Sequence, residues 1–478
     1  MSLPRLATDT QLDELYDAAL RTLDKAGFLY QDAELVQYLT KLGCREEADG
    51  RVHIPRAVVE EMLAPRRAAA EVPPDGPPRR TGEIRPQISV QIAQFYLDHE
   101  SGQRVPGDRD LLAELAKFGH VWQPGAPVGP VLLLRDVPPM VEPMEAVVTL
   151  CENTDRVFNA YVHYAEQIPY LSEMGRILTG DHRSFIGICV FTVTPLRLDL
   201  RACRLLVELT RQGAPVWLGT QPAAGASSPV TVPGTVVLAV AEILAGWVAS
   251  FAVSPELMPG AGICSGVLDM RTADVSYCAP EATLQDLLCI ELCRERLGGR
   301  CGAAGGAGYT DAKWPGSQKA FETAFEALTI YTYTGQGPGA GQGLLESGKT
   351  FSPVQFMLDD DFGQYMQRFA CGVDYGPGAL ALDEILQVGT GIGASHLATE
   401  HTLVNFRSLF EPALLDRSCW KGDEREAKGE AALLDRAWQR FRDVRAHYQP
   451  AAVDDERLAA VRRVVADARR DLCGLGSD

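Results

Sequence analysis

From residue 88 onward short β-like runs alternate with helical runs, and this alternation limits the possible folds more than any other feature of the chain. "ISVQIAQFYL" comes first. "FIGICVFTV" precedes a helical stretch from Leu200 to Gln212, "APVWLGT" one from Gly234 to Val253, and "GAGICSG" one from Ala279 to Gly298. "GRCGAAGG" and "LTIYTYTG" continue the series. Strands separated by helices of this length are joined by right-handed crossovers and lie parallel, in a sheet either open or closed into a (β/α)8 barrel. A span of roughly 330 residues suits an enlarged barrel. An open dinucleotide-binding sheet fits less well, because "CGAAGGAG" lacks the G-x-G-x-x-G order. The predicted class is therefore α/β, a (β/α)8 TIM barrel with helices added at both ends. Residues 1–85 are expected to form an N-terminal helical extension and linker, 86–418 the barrel, and 419–478 a C-terminal helical segment.

Within Leu12 to Leu63, Leu15, Ala18, Ala19 and Leu23 follow helical spacing. "PRRAAAEVPPDGPPRRTGEIRP", residues 65–86, reads as a linker rich in proline and charge. The apolar run from Val236 to Val253 is long enough to span a bilayer, but Glu242 interrupts it, so a buried core helix is expected. A net charge of −18 over 478 residues argues against nucleic-acid or anionic-membrane partners, which need a basic face. "MSLPRLATDTQLDELYDAAL" contains no apolar leader, so a cytoplasmic location is expected, with the twelve cysteines reduced.

"GLLESGKT", residues 343–350, matches the phosphate-loop pattern G-x-x-x-x-G-K-[ST] letter for letter. Such a loop needs a strand ending just before it and a helix starting at its lysine. Here "GQGPGAGQ" precedes it, and Ser352-Pro353 reads as an N-cap and first helical position. The string is therefore taken as a Gly-rich loop rather than a nucleotide site. Cys278, Cys289, Cys293 and Cys301 lie close together, with Cys289 and Cys293 on one helix face. Zinc sites favour paired ligands on a tight loop, whereas helix-face cysteines beside Leu288 and Leu292 are commonly core residues, so no metal ligand is assigned. "HLATEH", His396 to His401, fits neither zinc-protease spacing. Phe95, Tyr96, Trp217, Tyr309, Trp314, Tyr331, Tyr333 and Phe351 fall near expected strand ends. A subset facing the mouth would cage a quaternary ammonium by cation–π attraction. Spacing alone stops at an α/β barrel enzyme of unassigned substrate.

Beyond spacing, "TPLRLD" (194–199), "QPAAGASSPVTVPG" (221–234), "LDMRT" (268–272), "TDAKWPGSQKAFE" (310–322), "GLLESGKTFSPVQ" (343–355) and "EHTLVNFRSLFEPALLDR" (400–417) resemble the trimethylamine methyltransferase family. "GCREEADGRVHIPRAVVEEML" and "LDHESGQRVPGDRDL" resemble it as well, so the likeness spans nearly the whole chain in order. In that family the matching segment is an L-E-S-G turn followed by T-F-S, and Lys349 completes the phosphate-loop pattern by accident. The resemblance implies a (β/α)8 enzyme that moves a methyl group from a methylated amine to the Co(I) of a corrinoid carried by a separate protein. No cofactor would be bound tightly to this chain. Founding members use pyrrolysine. This chain has none, and so resembles the branch of the glycine betaine methyltransferases, whose substrates are of the glycine betaine, proline betaine or carnitine type.

Carried over by motif, Glu346, Glu400 and His401 are expected in catalysis. Tyr96, Asp269, Arg271, Tyr309, Asp311, Lys313 and Phe351 are expected at the substrate, and Gln221, Gly339, Gly341 and Gly343 at the corrinoid. Tyr96, Tyr309 and Phe351 are the cage candidates, and Arg271 the anchor for a carboxylate tail. The implied partners are a small methylated amine, a cognate corrinoid protein and further copies of the chain in a homo-oligomer. Demethylation of another nitrogen or sulfur compound, transfer to a non-corrinoid acceptor, and betaine binding without turnover are the alternatives.

Overall fold

Ile188 and Val190 are buried while Cys189 and Phe191 between them are partly open, the period of two that a strand shows when helices cover one face. This strand, β1 (Ile188–Phe191), leads a series of strand–helix units in a computed structural model that describes residues 3–70, 85–91, 93–335, 341–392, 394–420 and 429–474. Helix α1 (Leu200–Arg211) follows, capped by the Asp199 side chain on the Ala202 N–H. Then come β2 (Val216–Thr220), α2 (Val232–Val253), β3 (Gly260–Ile263), α3 (Pro280–Leu292), β4 (Cys301–Ala303) and α4 (Ser317–Thr334). The four strands lie parallel in the order β4-β3-β2-β1.

Further parallel segments flank this sheet. Val128 bridges Val157 and Ala93 bridges Leu132, and the Asn159 side-chain amide donates to Gly187 O at 3.2 Å. Gly129 N–H donates to Ile88 O and Gln91 N–H to Pro130 O, both at 3.0 Å. Gln342 reaches back to Gln91 at 2.7 Å, and Ser347 N–H donates to Thr310 O at 2.8 Å. The architecture is mixed α/β, with its described strands grouped into sheets of three or four.

Three sequence expectations change. "LTIYTYTG" is read above as a strand, but Leu328 to Thr334 close α4. Lys319, Thr323, Glu326, Ala327 and Ile330 are buried at helical spacing, and that packing outweighs β-propensity. The hydroxyls of Thr329, Thr332 and Thr334 are satisfied inside the helix by carbonyls of Phe325, Leu328 and Ile330. The linker begins later than expected, because Pro65 to Ala70 belong to the helix Arg56–Ala70. Arg66 donates to Pro259 O and Arg67 to Arg296 O, which holds this last turn against the body, while linker residues 71–84 lie outside the described residues. Finally, Leu344–Leu345 pairs antiparallel with Thr350–Phe351, so "GLLESGKT" is a hairpin. Its turn carries positive φ at Glu346, Ser347 and Gly348, and the next helix, α5 (Pro353–Ala370), starts only after the Ser352 cap.

Two apolar cores support the fold. The first joins the N-terminal helices Asp9–Lys25, Ala33–Lys41 and Arg56–Ala70 to α1, α2 and the four-stranded sheet, and takes in Val461 and Val465 from the C-terminal helix Asp455–Cys473. The second gathers Phe118, Trp122, Phe351, Phe356 and Phe441. Helix α2 is long and apolar enough to cross a membrane, yet it packs against the N-terminal helices and α3 inside the first core.

Within α2, Glu242 is fully buried. Its carboxylate accepts from the hydroxyls of Thr192 (2.7 Å), Thr194 (2.8 Å) and Thr220, and from the Leu196 N–H at 2.8 Å. One side chain thus ties the ends of β1 and β2 to the helix behind them. Replacing Glu242 with Leu leaves those donors unsatisfied, and we expect the urea-unfolding free energy to fall by about 3 kcal/mol or more. A loss below about 1 kcal/mol would mean that the hydroxyls find other partners.

Candidate functional site

Phe191, Gly219, Gly262 and Gly302 stand side by side across the four strands, on the face turned away from the helices. Parallel-barrel faces are ordinarily filled by branched side chains. Here a Cβ on Gly219 would run into the Phe191 ring at 2.6 Å and the Cys189 sulfur at 2.8 Å, so this glycine makes room for both. A Cβ on Gly302 would meet nothing within 4 Å, which leaves open space beside the row.

Aromatic rings stand above that row. Tyr309 follows β4 and lies between Gly305 and Gly348, whose added Cβ atoms would meet it at 3.2 and 2.5 Å. Tyr277 meets Tyr309 edge-on with centroids 6.2 Å apart, and Tyr161 donates to Cys189 O at 3.2 Å. Burial pushes the Tyr161 phenol up to about 12 and raises Tyr309 further, with the Cys264 thiol and neighbouring phenols adding to the effect. These rings stay neutral at physiological pH.

The loops around the space are held by side chains of the helices that follow them. Glu142 accepts from the Leu134 N–H at 2.9 Å, and Gln167 from the His163 and Tyr164 N–H groups at 2.8 and 3.0 Å. Asp286 of α3 accepts from Ser265 at 2.8 Å, and Glu322 of α4 from Asp311 and Ala312 at 3.0 and 3.1 Å. Asp359 of α5 accepts from Gly343 and from the Gln355 amide, both at 2.7 Å. Burial raises Asp286 to about 7, Glu326 to about 9 and Asp359 to about 6, and it pulls the fully buried Lys319 ammonium downward against the charges of Asp359, Glu326 and Glu322. On the same helices and loops, both amide atoms of Gln285, Thr310 Oγ1 and Glu326 Oε2 are buried without a hydrogen-bond partner among the described residues, which suits a site that takes polar groups or water.

The sequence-derived residues divide among several places. Tyr309 stands at the open space, and Gln221 lies at its rim, with Nε2 3.9 Å from the Cys264 sulfur. Gly341 and Gly343 adopt positive φ next to the Asp359 carboxylate, while Gly339 lies outside the described residues. The Asp311 backbone is held by Glu322, and Lys313 is exposed. Asp269 and Arg271 pair with each other at 2.7 Å on an exposed hairpin turn, where the Arg271 guanidinium holds Asp269 down at about 2. Tyr96 and Phe351 pack 6.5 Å apart in the second core, against which Tyr309 also packs. Glu346 pairs with Arg104. Glu400 opens the short exposed helix Glu400–Asn405, and His401 faces Glu384 at 3.5 Å, with His396 also on Glu384 at 2.9 Å. Among the described residues no hydrogen bond or ion pair joins Glu346 to Glu400 or His401.

Tyr161, Tyr277, Cys264, Asp286, Lys319 and Glu326 escaped the sequence reading. A signal existed for two of them. Lys319 and Glu326 share the stripe of α4 that carries Thr323, Ala327 and Ile330, and charge on a buried helical stripe marks a functional interior. Reading the end of α4 as a strand hid it.

Residues 3–473 match the family described as trimethylamine methyltransferase (MTTB). The chain is similar to a glycine betaine methyltransferase of Desulfitobacterium hafniense (strain Y51), 23% identical over 481 residues that cover 98% of each protein. It is also similar to the trimethylamine methyltransferase MttB of Methanosarcina barkeri (strain Fusaro / DSM 804), 26% identical over 329 residues, 68% of this chain and 65% of that protein. The solved monomethylamine methyltransferase MtmB of Methanosarcina barkeri superposes with a TM-score of 0.44 at 10% identity, over 91% of this chain and 94% of that one.

The buried acids make stability depend on pH in a definite direction. An acid whose pKa rises on folding keeps its proton in the native state after the unfolded chain has lost its own, so stability falls as pH rises through that window. For Asp286 the window runs from 3.8 to about 7. Urea midpoints measured from pH 5 to 8 should therefore shift in favour of Asp286→Asn over the native chain as pH rises, by at most about 1.4 kcal/mol per pH unit. Parallel profiles for the two proteins would show that Asp286 ionises freely.

Proposed function

The chain belongs to the trimethylamine methyltransferase family and is a methyltransferase; on that premise we propose that it takes a methyl group from a quaternary amine of the glycine betaine, proline betaine or carnitine type. The acceptor in this reading is the Co(I) of a corrinoid presented by a partner protein, not a cofactor resident in this chain. The observation that carries the proposal is the open space beside the Phe191–Gly219–Gly262–Gly302 row, overlooked by the neutral rings of Tyr309, Tyr277 and Tyr161. Ring faces attract a quaternary ammonium without a compensating anion. That attraction fades as the methyl group leaves and the amine becomes neutral, so a modest cage slows the reaction less than a paired carboxylate would.

The corrinoid supplies the nucleophile. The chain's own residues have the tasks of aiming one methyl group at the mouth and keeping water out. Release of a neutral tertiary amine requires no proton on nitrogen, in keeping with a cage made of phenols held protonated. Gln221, Gly341 and Gly343 at the rim are assigned to the corrinoid face, and Asp311, Lys313 and Glu346 to the substrate side of the mouth. Arg271 is assigned to a carboxylate tail, which requires it to leave Asp269.

Closure into a (β/α)8 barrel is part of the reading. The parallel bridges and hydrogen bonds that run from residues 88–93 through 128–132 and 157–159 to β1, and from Thr310 through Ser347 and Gln342 back to Gln91, support a closed ring. The segments 1–85 and 419–478 then add helices outside it. Leu380, Leu386, Leu397 and Leu403 are exposed on the segment that carries Glu400 and His401, which we assign to contact with a second copy. The unpaired state of all twelve cysteines accords with a reducing cytoplasm.

Anaerobic absorbance of free cob(I)alamin with the purified chain tests the reaction. Loss of the Co(I) band and growth of methylcobalamin are expected with a betaine or carnitine and not with mono-, di- or trimethylamine. Tyr309→Ala should raise KM for that substrate about tenfold, the worth of one cation–π contact, while Tyr309→Phe stays near the native value. Binding of a betaine with no methylcobalamin under any condition would point to another acceptor or to a binding role.

A further inference from the structure

Away from the mouth, at the opposite end of the sheet, three cysteines converge. Cys289 and Cys293 lie on the last turns of α3, Cys301 opens β4, and their sulfur atoms all lie within 4.8 Å of one another. We propose that Cys289, Cys293 and Cys301 form a binding site for a thiophilic metal ion, with zinc as the first candidate. A tetrahedral zinc thiolate has Zn–S bonds of about 2.3 Å, which sets its sulfur atoms about 3.8 Å apart. The cluster therefore needs to contract by no more than about an ångström, within side-chain adjustment.

The backbone here is shaped to bring the third sulfur in. Helix α3 ends in a π-turn, Cys293–Leu297, a distortion that is rare and concentrated at functional sites. Gly298 follows in the left-handed region with φ at 63°, where a Cβ would strike the Arg67 backbone at 2.8 Å. A Cβ on Gly299 would strike the Trp247 ring at 2.4 Å. Only a chain without side chains at both positions passes this close to the Arg56–Ala70 helix and to α2, and so returns to place Cys301 beside Cys289 and Cys293.

Charge supplies a second, independent observation. Arg66 is buried, stacked on the Trp247 ring at 4.0 Å and hydrogen-bonded to Pro259 O at 2.9 Å. Among the described residues no carboxylate lies within ion-pair distance of it, although a buried cation requires a counter-charge. Three thiolates on a divalent ion carry one net negative charge, and with Arg66 the group becomes neutral. Arg66 and Gly298 also line a cleft of about 410 Å³ shared with Trp217 and with Arg300, the residue before Cys301. The ion would clamp α3 to the start of β4, whose far end leads to Tyr309.

Metal content of the full-length chain, purified under reducing conditions from zinc-supplemented growth, tests the site. About one zinc per chain is expected, retained in Cys371→Ser/Cys419→Ser, which removes two exposed cysteines. Cobalt(II) added to chelator-treated protein should produce a near-ultraviolet thiolate-to-metal charge-transfer band. Cys293→Ser and the pair Cys289→Ala/Cys301→Ala should lose both signals. Native protein holding less than about a tenth of an equivalent of zinc, with no charge-transfer band on cobalt titration, would overturn the assignment, and that measurement stands even if the variants misfold. A folded Cys293→Ser chain that keeps its metal would overturn it equally.

Discussion

A polar side chain on a helix, turned inward to hold the loop before it, is the interaction on which the rest of this structure depends. Glu142, Gln167, Asp286, Glu322 and Asp359 each play this part, in separate units of the chain. A loop at the end of a parallel strand exposes backbone N–H groups that no neighbouring strand satisfies, and burying them unpaired costs more than most single contacts return. Drawing the acceptor from the following helix solves this locally. It also fixes each loop to its own strand–helix unit, so the mouth has a defined shape.

That arrangement places acids in low dielectric, and there Asp286 and Asp359 hold their protons to unusually high pH. It also frees the sheet's inner face from supporting the loops. The face can then be stripped to glycine at three neighbouring positions, Gly219, Gly262 and Gly302, without loss of order at the rim. Apolar packing is supplied elsewhere, by α2 and the N-terminal helices on the outer face and by the ring cluster around Phe118 and Phe356. A hollow interior and a rigid mouth are thus two results of one device. The proposed methyl transfer from a bound cation to a large acceptor needs both, because reactivity rests on aiming a small group across a dry gap.

His401 lies on an exposed segment of the chain. Leu380, Leu386, Leu397 and Leu403 are exposed on the segment that carries the Glu384, His396 and His401 cluster. Apolar side chains in that number on an outlying segment are characteristic of a surface that another protein covers.

Much of this was legible in the chain itself. Periodicity marked β1 to β4 and α1 to α3, because a period of two or of 3.6 depends on nearest neighbours along the sequence. Ser352 and Pro353 announced where α5 begins, which ruled out a phosphate loop at "GLLESGKT". The strings from "TPLRLD" to "EHTLVNFRSLFEPALLDR" identified the family. What packing alone decided lies where local preference and burial conflict. Leu328 to Thr334 are helical because one stripe of α4 is buried, and Tyr96 and Phe351 face the second core because the hairpin pairs beside Phe95–Leu97. Cys301 joins Cys289 and Cys293 only through a π-turn and two glycines pressed against Trp247 and Arg67. Such meetings depend on which surfaces come together in three dimensions, and no spacing along the chain encodes them.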